Sequence, residues 1–244
     1  AGICLIGFAW LTGLSAEVVW LEGNRVPVET VEILEDSQGV LSLAEVQRLP
    51  FSGVSGRELN RGFRPGVLWV RIQAGTRSST DQWLLEHAHP ITDSIIAYLP
   101  DQGVVHKREA GDKLSFRERD LFHRHFFFRL NLPADSVTPL YCRIQTEDAL
   151  VLRFHFWKAE SLLEHSVFDQ AMAGLYYGLM LAMILYNSFL FLSLRERTYF
   201  YYVLYIFFFS FLMLAHQGLV FQFFWPYSPD WQQKAIPFFT SSTG

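Results

Sequence analysis

The chain has almost no cysteine: Cys4 and Cys142 are the only two in 244 residues. That excludes a disulfide scaffold, and a mature domain holding Cys142 alone has no internal partner for it. No nucleophile elbow, phosphate-binding loop, dinucleotide fingerprint or zinc-protease helix occurs. No enzyme class declares itself by motif, and no cofactor is expected. Positive charge is not in excess, with 20 Lys and Arg against 24 Asp and Glu, so a basic nucleic-acid binder is excluded. Charge of both signs is scarce, at 18% where a soluble domain carries about 25%. The shortage is local. No charged residue precedes Glu17, and after Asp169 only Arg195, Glu196, Arg197, Asp230 and Lys234 remain. Two materials are joined end to end, which excludes both a single soluble globule and a disordered chain.

The uncharged residues 1–16 are apolar enough for a signal-peptide core and short for a membrane span. Ser15 and Ala16 offer small side chains for cleavage. With no initiator Met and no basic leader, the segment is expected to be a signal-peptide remnant. A first transmembrane helix or signal anchor is the alternative, and either one exports the chain beyond Ala16.

Residues 17–160 carry strand patterns. Leu68, Val70 and Ile72 alternate with Trp69, Arg71 and Gln73. Phe122, Phe126, Phe128 and Leu130 share one face of a strand pattern and His123, His125 and Arg129 the other, with Arg124 the exception on the apolar face. Similar short runs lie at Trp83–His87, Ser94–Leu99, Tyr141–Gln145 and Leu150–Phe156, separated by turn residues. Such punctuation predicts a β-sandwich or jelly roll. Ser42-Leu-Ala-Glu45 has the capping-box pattern of a short helix.

From Gln170 to Leu194 no charge occurs, and twenty residues at about 1.5 Å each cross a hydrocarbon core of roughly 30 Å. Arg195-Glu-Arg197 interrupts, and Thr198 to Trp225 is again free of Asp, Glu, Lys and Arg. Two transmembrane helices are predicted, about 171–193 and 199–221, with a third beginning near 232. Residues 161–170 form a connector, expected to be helical and continuous with the first span. The two arginines in the turn belong in the cytoplasm, which places the sandwich outside.

Several of these residues together resemble a bacterial family. Gly174-Leu-Tyr-Tyr-Gly178, Tyr186-Asn187, Phe189 to Tyr205, Gly218 and Phe224-Trp-Pro226 resemble the opening of the seven-transmembrane receptors with diverse intracellular signalling modules. Asn60-Arg-Gly62, Trp69-Val-Arg71, Gly111-Asp112 before Phe116-Arg117, and Tyr141-Cys-Arg143 resemble the type 2 extracellular domain of that family. The resemblance implies a jelly-roll periplasmic domain related to carbohydrate-binding modules. It also implies seven helices, followed by an output domain such as a histidine kinase or a diguanylate cyclase, with no catalysis in the present stretch.

Four side chains are candidates for touching a ligand. Trp69 offers an aromatic face and Arg71 a donor fork, the types that a sugar ring and its hydroxyls or carboxylates require. The simpler account is that Trp69 packs under a loop while Arg71 pairs with an acid. Arg117 and Arg119 lie in a charge run beside Gly111-Asp112, on a loop of the kind that carries binding residues. His123, His125 and His155 could meet as a zinc site only if their strands are neighbours. A solvated strand face is the simpler account, and no metal is expected. In the membrane, Asn187 and His216 are the polar residues to explain, by packing or by signalling.

The expected function is a sensor in the bacterial inner membrane. It would detect a small molecule, with carbohydrate as one candidate, or a periplasmic protein. The bilayer and a second copy of the chain are further expected partners. The alternatives are a membrane-embedded enzyme or transporter with an accessory sugar-binding domain, and an anchor to cell-wall polymer.

Overall fold

Period-two alternation decides which side chains meet. Along Val67–Thr76, Leu68, Val70, Ile72 and Ala74 enter the main core, while Trp69 enters a separate cluster on the opposite face. The computed structural model describes residues 17–56, 59–63, 66–78, 82–101 and 103–243, so the signal-peptide reading of 1–16 lies outside the described residues.

In chain order the strands are β1 (Val19–Trp20), β2 (Arg25–Pro27), β3 (Thr30–Asp36), β4 (Ser52–Ser55), β5 (Leu59–Asn60), β6 (Val67–Thr76), β7 (Trp83–His87), β8 (Ser94–Asp101), β9 (Val104–Ala110), β10 (Phe126–Leu130), β11 (Ser136–Gln145), β12 (Val151–Leu152) and β13 (Phe154–Lys158). The helices are α1 (Leu43–Val46), α2 (Ala159–Leu194), α3 (Arg197–His216), α4 (Leu219–Phe223) and α5 (Pro229–Thr243).

Sheet A runs β4-β3-β6-β11-β8-β9, with β1 parallel to one end of β6. Sheet B runs β10-β7-β13-β2, and β5 pairs with β12 apart from both. The order 2-13-7-10 over 6-11-8-9, with every connection but β8–β9 crossing between sheets, is a jelly roll, with β3 and β4 added beside β6. Phe126, Phe128, Phe154 and Phe156 of sheet B pack against Val70, Ile72, Ile95 and Leu140 of sheet A. Cys142 lies fully inside this core, where burial pushes its thiol up to about 12, so it acts as a small hydrophobe.

No linker separates sandwich from helix. β13 ends at Lys158 and α2 starts at Ala159, so residues 161–170 are helical and part of one 36-residue rod. At about 1.5 Å per residue the rod exceeds a bilayer core, and its first turns, bearing Glu160, Glu164, His165 and Asp169, stay with the sandwich. Arg195 ends it in the left-handed region (φ 58°), its amide donating to Phe191 at 2.8 Å. α3 returns alongside α2, and both are long and apolar enough to cross a membrane. α3 stops at His216, five residues before the sequence-derived end at 221. Gly218 turns the chain there at φ 71°, pressed so closely on the sandwich that a Cβ would sit 2.8 Å from Pro90 Cβ. The third helix, α5, begins at Pro229 rather than near 232.

Candidate functional site

Each sheet has an outer face, and each face is covered. Over sheet A lies the Leu41–Phe51 segment with α1, held by Glu45, whose carboxylate accepts from the amide and hydroxyl of Ser42. Beneath it Trp69 is fully buried, stacked on Tyr98 with ring centroids 5.5 Å apart. Arg71 is paired with Glu32, and its guanidinium lies 4.4 Å above the Phe51 ring. Trp69 and Arg71 therefore share one face, and both are committed to holding the α1 segment. The buried indole has no surface to offer a sugar ring.

Over sheet B lies the root of α2. Leu84, Phe127 and Trp157 point outward and bury Leu162 of the helix. Beside them Glu86, 4% exposed, is approached by three side chains. His125 Nδ1 lies 2.6 Å from Oε1, His155 Nδ1 3.0 Å from Oε2, and Trp157 Nε1 donates to Oε2 at 2.7 Å. Burial alone would raise the pKa of Glu86, but the hydrogen bonds from His125 and His155 outweigh it and hold the carboxyl well below its usual range. Arg25 Nη2 lies 3.0 Å from His155 Nε2. Arginine can only donate, so His155 Nε2 is the acceptor in this contact. His123 Nδ1 accepts from the His125 amide at 3.0 Å, and burial lowers its pKa to about 3. His125, at the start of β10, and His155, on β13, thus flank Glu86 from the two sides of β7; their strands are not neighbours. Among the described residues no cluster of His, Cys, Asp and Glu has the geometry to hold a metal ion.

The cluster reaches into the helix. Trp157 meets His165 edge-on at 4.8 Å, and Asp169 lies 3.4 Å from both His165 Nδ1 and Arg124 Nη2. A cavity of about 310 Å³ beneath Arg124 and Asp169 is walled by Tyr177, Leu214 and Phe224.

A third contact closes on the end of the sandwich. The loop after α3 turns back and seats α4 there: Phe221 meets Phe116 edge-on at 5.5 Å and is buried. The Phe116 amide donates to Pro226 O at 3.1 Å, and Gln222 Nε2 donates to Phe122 O at 3.4 Å. Gln233 of α5 donates through Nε2 to Asp112 Oδ1 at 2.9 Å. Burial, then the charges of Asp93 and Asp148, push Asp112 up to about 7.

The remaining sequence candidates fall at this contact or in the spans. Arg117 is exposed and lies 4.8 Å above Tyr227. Arg119 is inserted between the Phe116 and Phe126 rings, at 4.2 and 4.4 Å, and donates to the carbonyls of His123 and Arg124. His216 ends α3 and is exposed. Asn187 is buried and donates back to Met183 O at 2.8 Å, and Ser188 likewise to Ile184 O at 2.7 Å, which satisfies both within their own helix. Sequence reasoning missed Glu86, Asp112, Phe221 and Gln233. Glu86 had a signal, a lone acid in the apolar run Trp83-Leu-Leu-Glu-His87; the others become legible only once the loop is seen to fold back.

Residues 29–158 match the family model described as 7TMR-DISM extracellular 2, and residues 169–244 match 7TM diverse intracellular signalling. No characterised protein matches the chain closely enough to lend it a function. The two matches meet within the first turns of α2, where sandwich and helix are fused. The chain belongs to the family of seven-transmembrane receptors with diverse intracellular signalling, as a membrane protein whose N-terminal jelly roll is its extracellular sensory domain.

Proposed function

We propose that the chain is the receiving end of a multi-pass receptor in the bacterial inner membrane. Occupancy of the sandwich sets the pose of the transmembrane helices, and a cytoplasmic output domain, a histidine kinase or a diguanylate cyclase, responds. The observation that carries this reading is the docking of the α3–α5 loop on the sandwich, with Phe221 against Phe116 and Gln233 on Asp112. The rigid passage from β13 into α2 adds a second joint. A sandwich held at two joints cannot tilt or repack without moving the outer ends of α2, α3 and α5. A packed bundle converts such small shifts into a choice between discrete arrangements.

The test is to lock the loop joint. Ser115 Oγ lies 3.5 Å from Pro226 O, so Ser115→Cys with Pro226→Cys places two thiols across it. In the intact receptor the crosslink is expected to fix output at one level and reduction to release it. Identical output in the crosslinked and reduced forms would overturn the proposal.

A further inference from the structure

β9 is an edge strand of sheet A, and from Val104 to Glu109 it is exposed on both faces. Along β8, Ile95, Ala97 and Leu99 point into the core, and Ala110 does so from β9. The same faces continued outward carry Asp101 on β8 and then Arg108 and His106 on β9. The inward face thus turns from aliphatic to charged toward this edge. Charged groups at inward-facing positions cannot serve a core, because burial without partners is costly.

These side chains line a cleft of about 630 Å³ between the sandwich and α2, a size suited to a small molecule. Arg129 and Asn131 of the β10 edge face it, and Leu162 and Leu163 of α2 form its opposite wall. Its charges are unequally committed. Asn131 Nδ2 donates to Asp101 at 3.2 Å, and His106 Nε2 lies 3.9 Å from the same oxygen. Arg108 and Arg129 are exposed and have no acidic partner among the described residues, while one carboxylate, Asp120, stands uncommitted. The remaining wall is aliphatic, from Leu99, Leu121 and Leu163. Trp83 forms part of the floor at 1% exposure, so no flat aromatic face is presented to a sugar ring.

We infer that this cleft binds a small monocarboxylate with a short aliphatic body, its carboxylate taken by Arg108 and Arg129 and its tail resting on Leu121 and Leu163. The inference rests on the receptor reading and supplies its input, since the occupant touches both the sandwich edge and the root of α2. Two exposed guanidinium groups without carboxylate partners among the described residues supply the donors and the charge such a group requires.

Titration calorimetry of the full chain in lipid nanodiscs, with sodium hexanoate as the probe, tests it. Saturable binding is expected. Arg108→Gln or Arg129→Gln should weaken it at least tenfold, and hexanamide should not bind. Both arginines are exposed, so these variants retain the fold. Leu163→Glu, also at an exposed position, should abolish binding from the opposite wall. The site is overturned if monocarboxylates from acetate to octanoate all fail to bind, if the arginine variants bind hexanoate as well as the parent, or if glucose binds as tightly. Amide exchange over residues 217–233 separates the two proposals. Hexanoate bound in the cleft without a change there supports the site and removes the relay. Absent binding with the cysteine lock still effective removes the site alone.

Discussion

The outer faces of the two sheets are built from the same parts and sealed by different owners. Each buries a tryptophan and a carboxylate paired with cationic or imidazole partners: Trp69 with Glu32–Arg71 on sheet A, Trp157 with Glu86–His125–His155 on sheet B. On sheet A the lid is Leu41–Phe51, tethered at both ends to strands of the same sheet. On sheet B the lid is α2, which continues into the membrane. Identical packing chemistry therefore has different consequences. A disturbance under the first lid is confined to the sandwich, and one under the second moves a transmembrane helix.

The largest expected effect tests that difference directly. Glu86→Ala leaves the donors of His125 and Trp157 facing an empty site. Removing one partner of a buried charged cluster costs about 3 to 5 kcal/mol, where an exposed or half-exposed pair is worth about 1 kcal/mol or less. Glu32→Ala, whose Arg71 partner retains solvent access, should cost clearly less. Denaturant titration gives the costs, and amide exchange over 159–169 gives the consequence. Only Glu86→Ala should accelerate exchange there. Equal acceleration by both variants would erase the distinction between the lids.

The linkage has a pH sign. The Glu86 pKa is depressed on folding, so its stabilisation is present above the ordinary glutamate range and is lost as the pH falls toward the folded value. Acid should therefore loosen the sheet B lid.

Phe221→Ala should come next in size. It empties a site packed against Phe116 and under Arg119, at a typical cost of about 3 kcal/mol for a buried phenylalanine. Because the cost falls on docking, exchange over 217–233 should rise while the sandwich core stays protected. Phe207→Ala, at a span position 41% exposed to its surroundings, should leave that exchange unaltered.

Much of this was legible before folding, and the limits have physical causes. Alternation at Leu68–Ile72 and Phe126–Leu130 placed the core faces, because one buried face enforces period two. Charge scarcity after Asp169 placed α2 and α3. The lids were invisible because burial of an outer face depends on a segment distant in sequence. Trp69 and Arg71 have the composition of a ligand site and of a packed lid alike, and only the position of Phe51 and Val46 decides between them. The end of α3 was overshot for a related reason. Gly218 breaks an apolar run that hydropathy reads as continuous, since an apolar loop buried against protein and an apolar helix in lipid have the same composition.

Asp112→Asn should act more gently and only at one end of the pH scale. In the docked state its pKa is about 7 against 3.8 for the free side chain. Raised by burial and by the neighbouring charges of Asp93 and Asp148, it contributes stability that is full below about pH 4 and lost as pH rises through 7. Exchange over 229–243, corrected for intrinsic rate, should therefore quicken between about pH 4 and 7 in the parent and level off above. Asn keeps an oxygen for Gln233 Nε2 and cannot ionise, so the variant should be flat across that range. The gain at about pH 8 should be of the order of 2 kcal/mol, below the full linkage value because water and Lys113 relieve the charge.

The smallest effect belongs to Arg117, and it separates two neighbours that the sequence treats alike. Arg117 and Arg119 flank Glu118 on one short turn, yet they face opposite surroundings. Arg119 is wedged between Phe116 and Phe126 and holds two carbonyls, so its loss removes packing and hydrogen bonds together. Arg117 covers Tyr227 from the solvent side, where an exposed cation over a ring is worth about 0.5 to 1 kcal/mol at most. Arg117→Ala should barely move the melting temperature or the exchange of 217–233, and hexanoate binding should be unchanged because the residue does not line the cleft. A large loss of hexanoate affinity on Arg117→Ala would place the input at the loop joint instead. The lid over sheet B would then transmit nothing that the loop does not already carry.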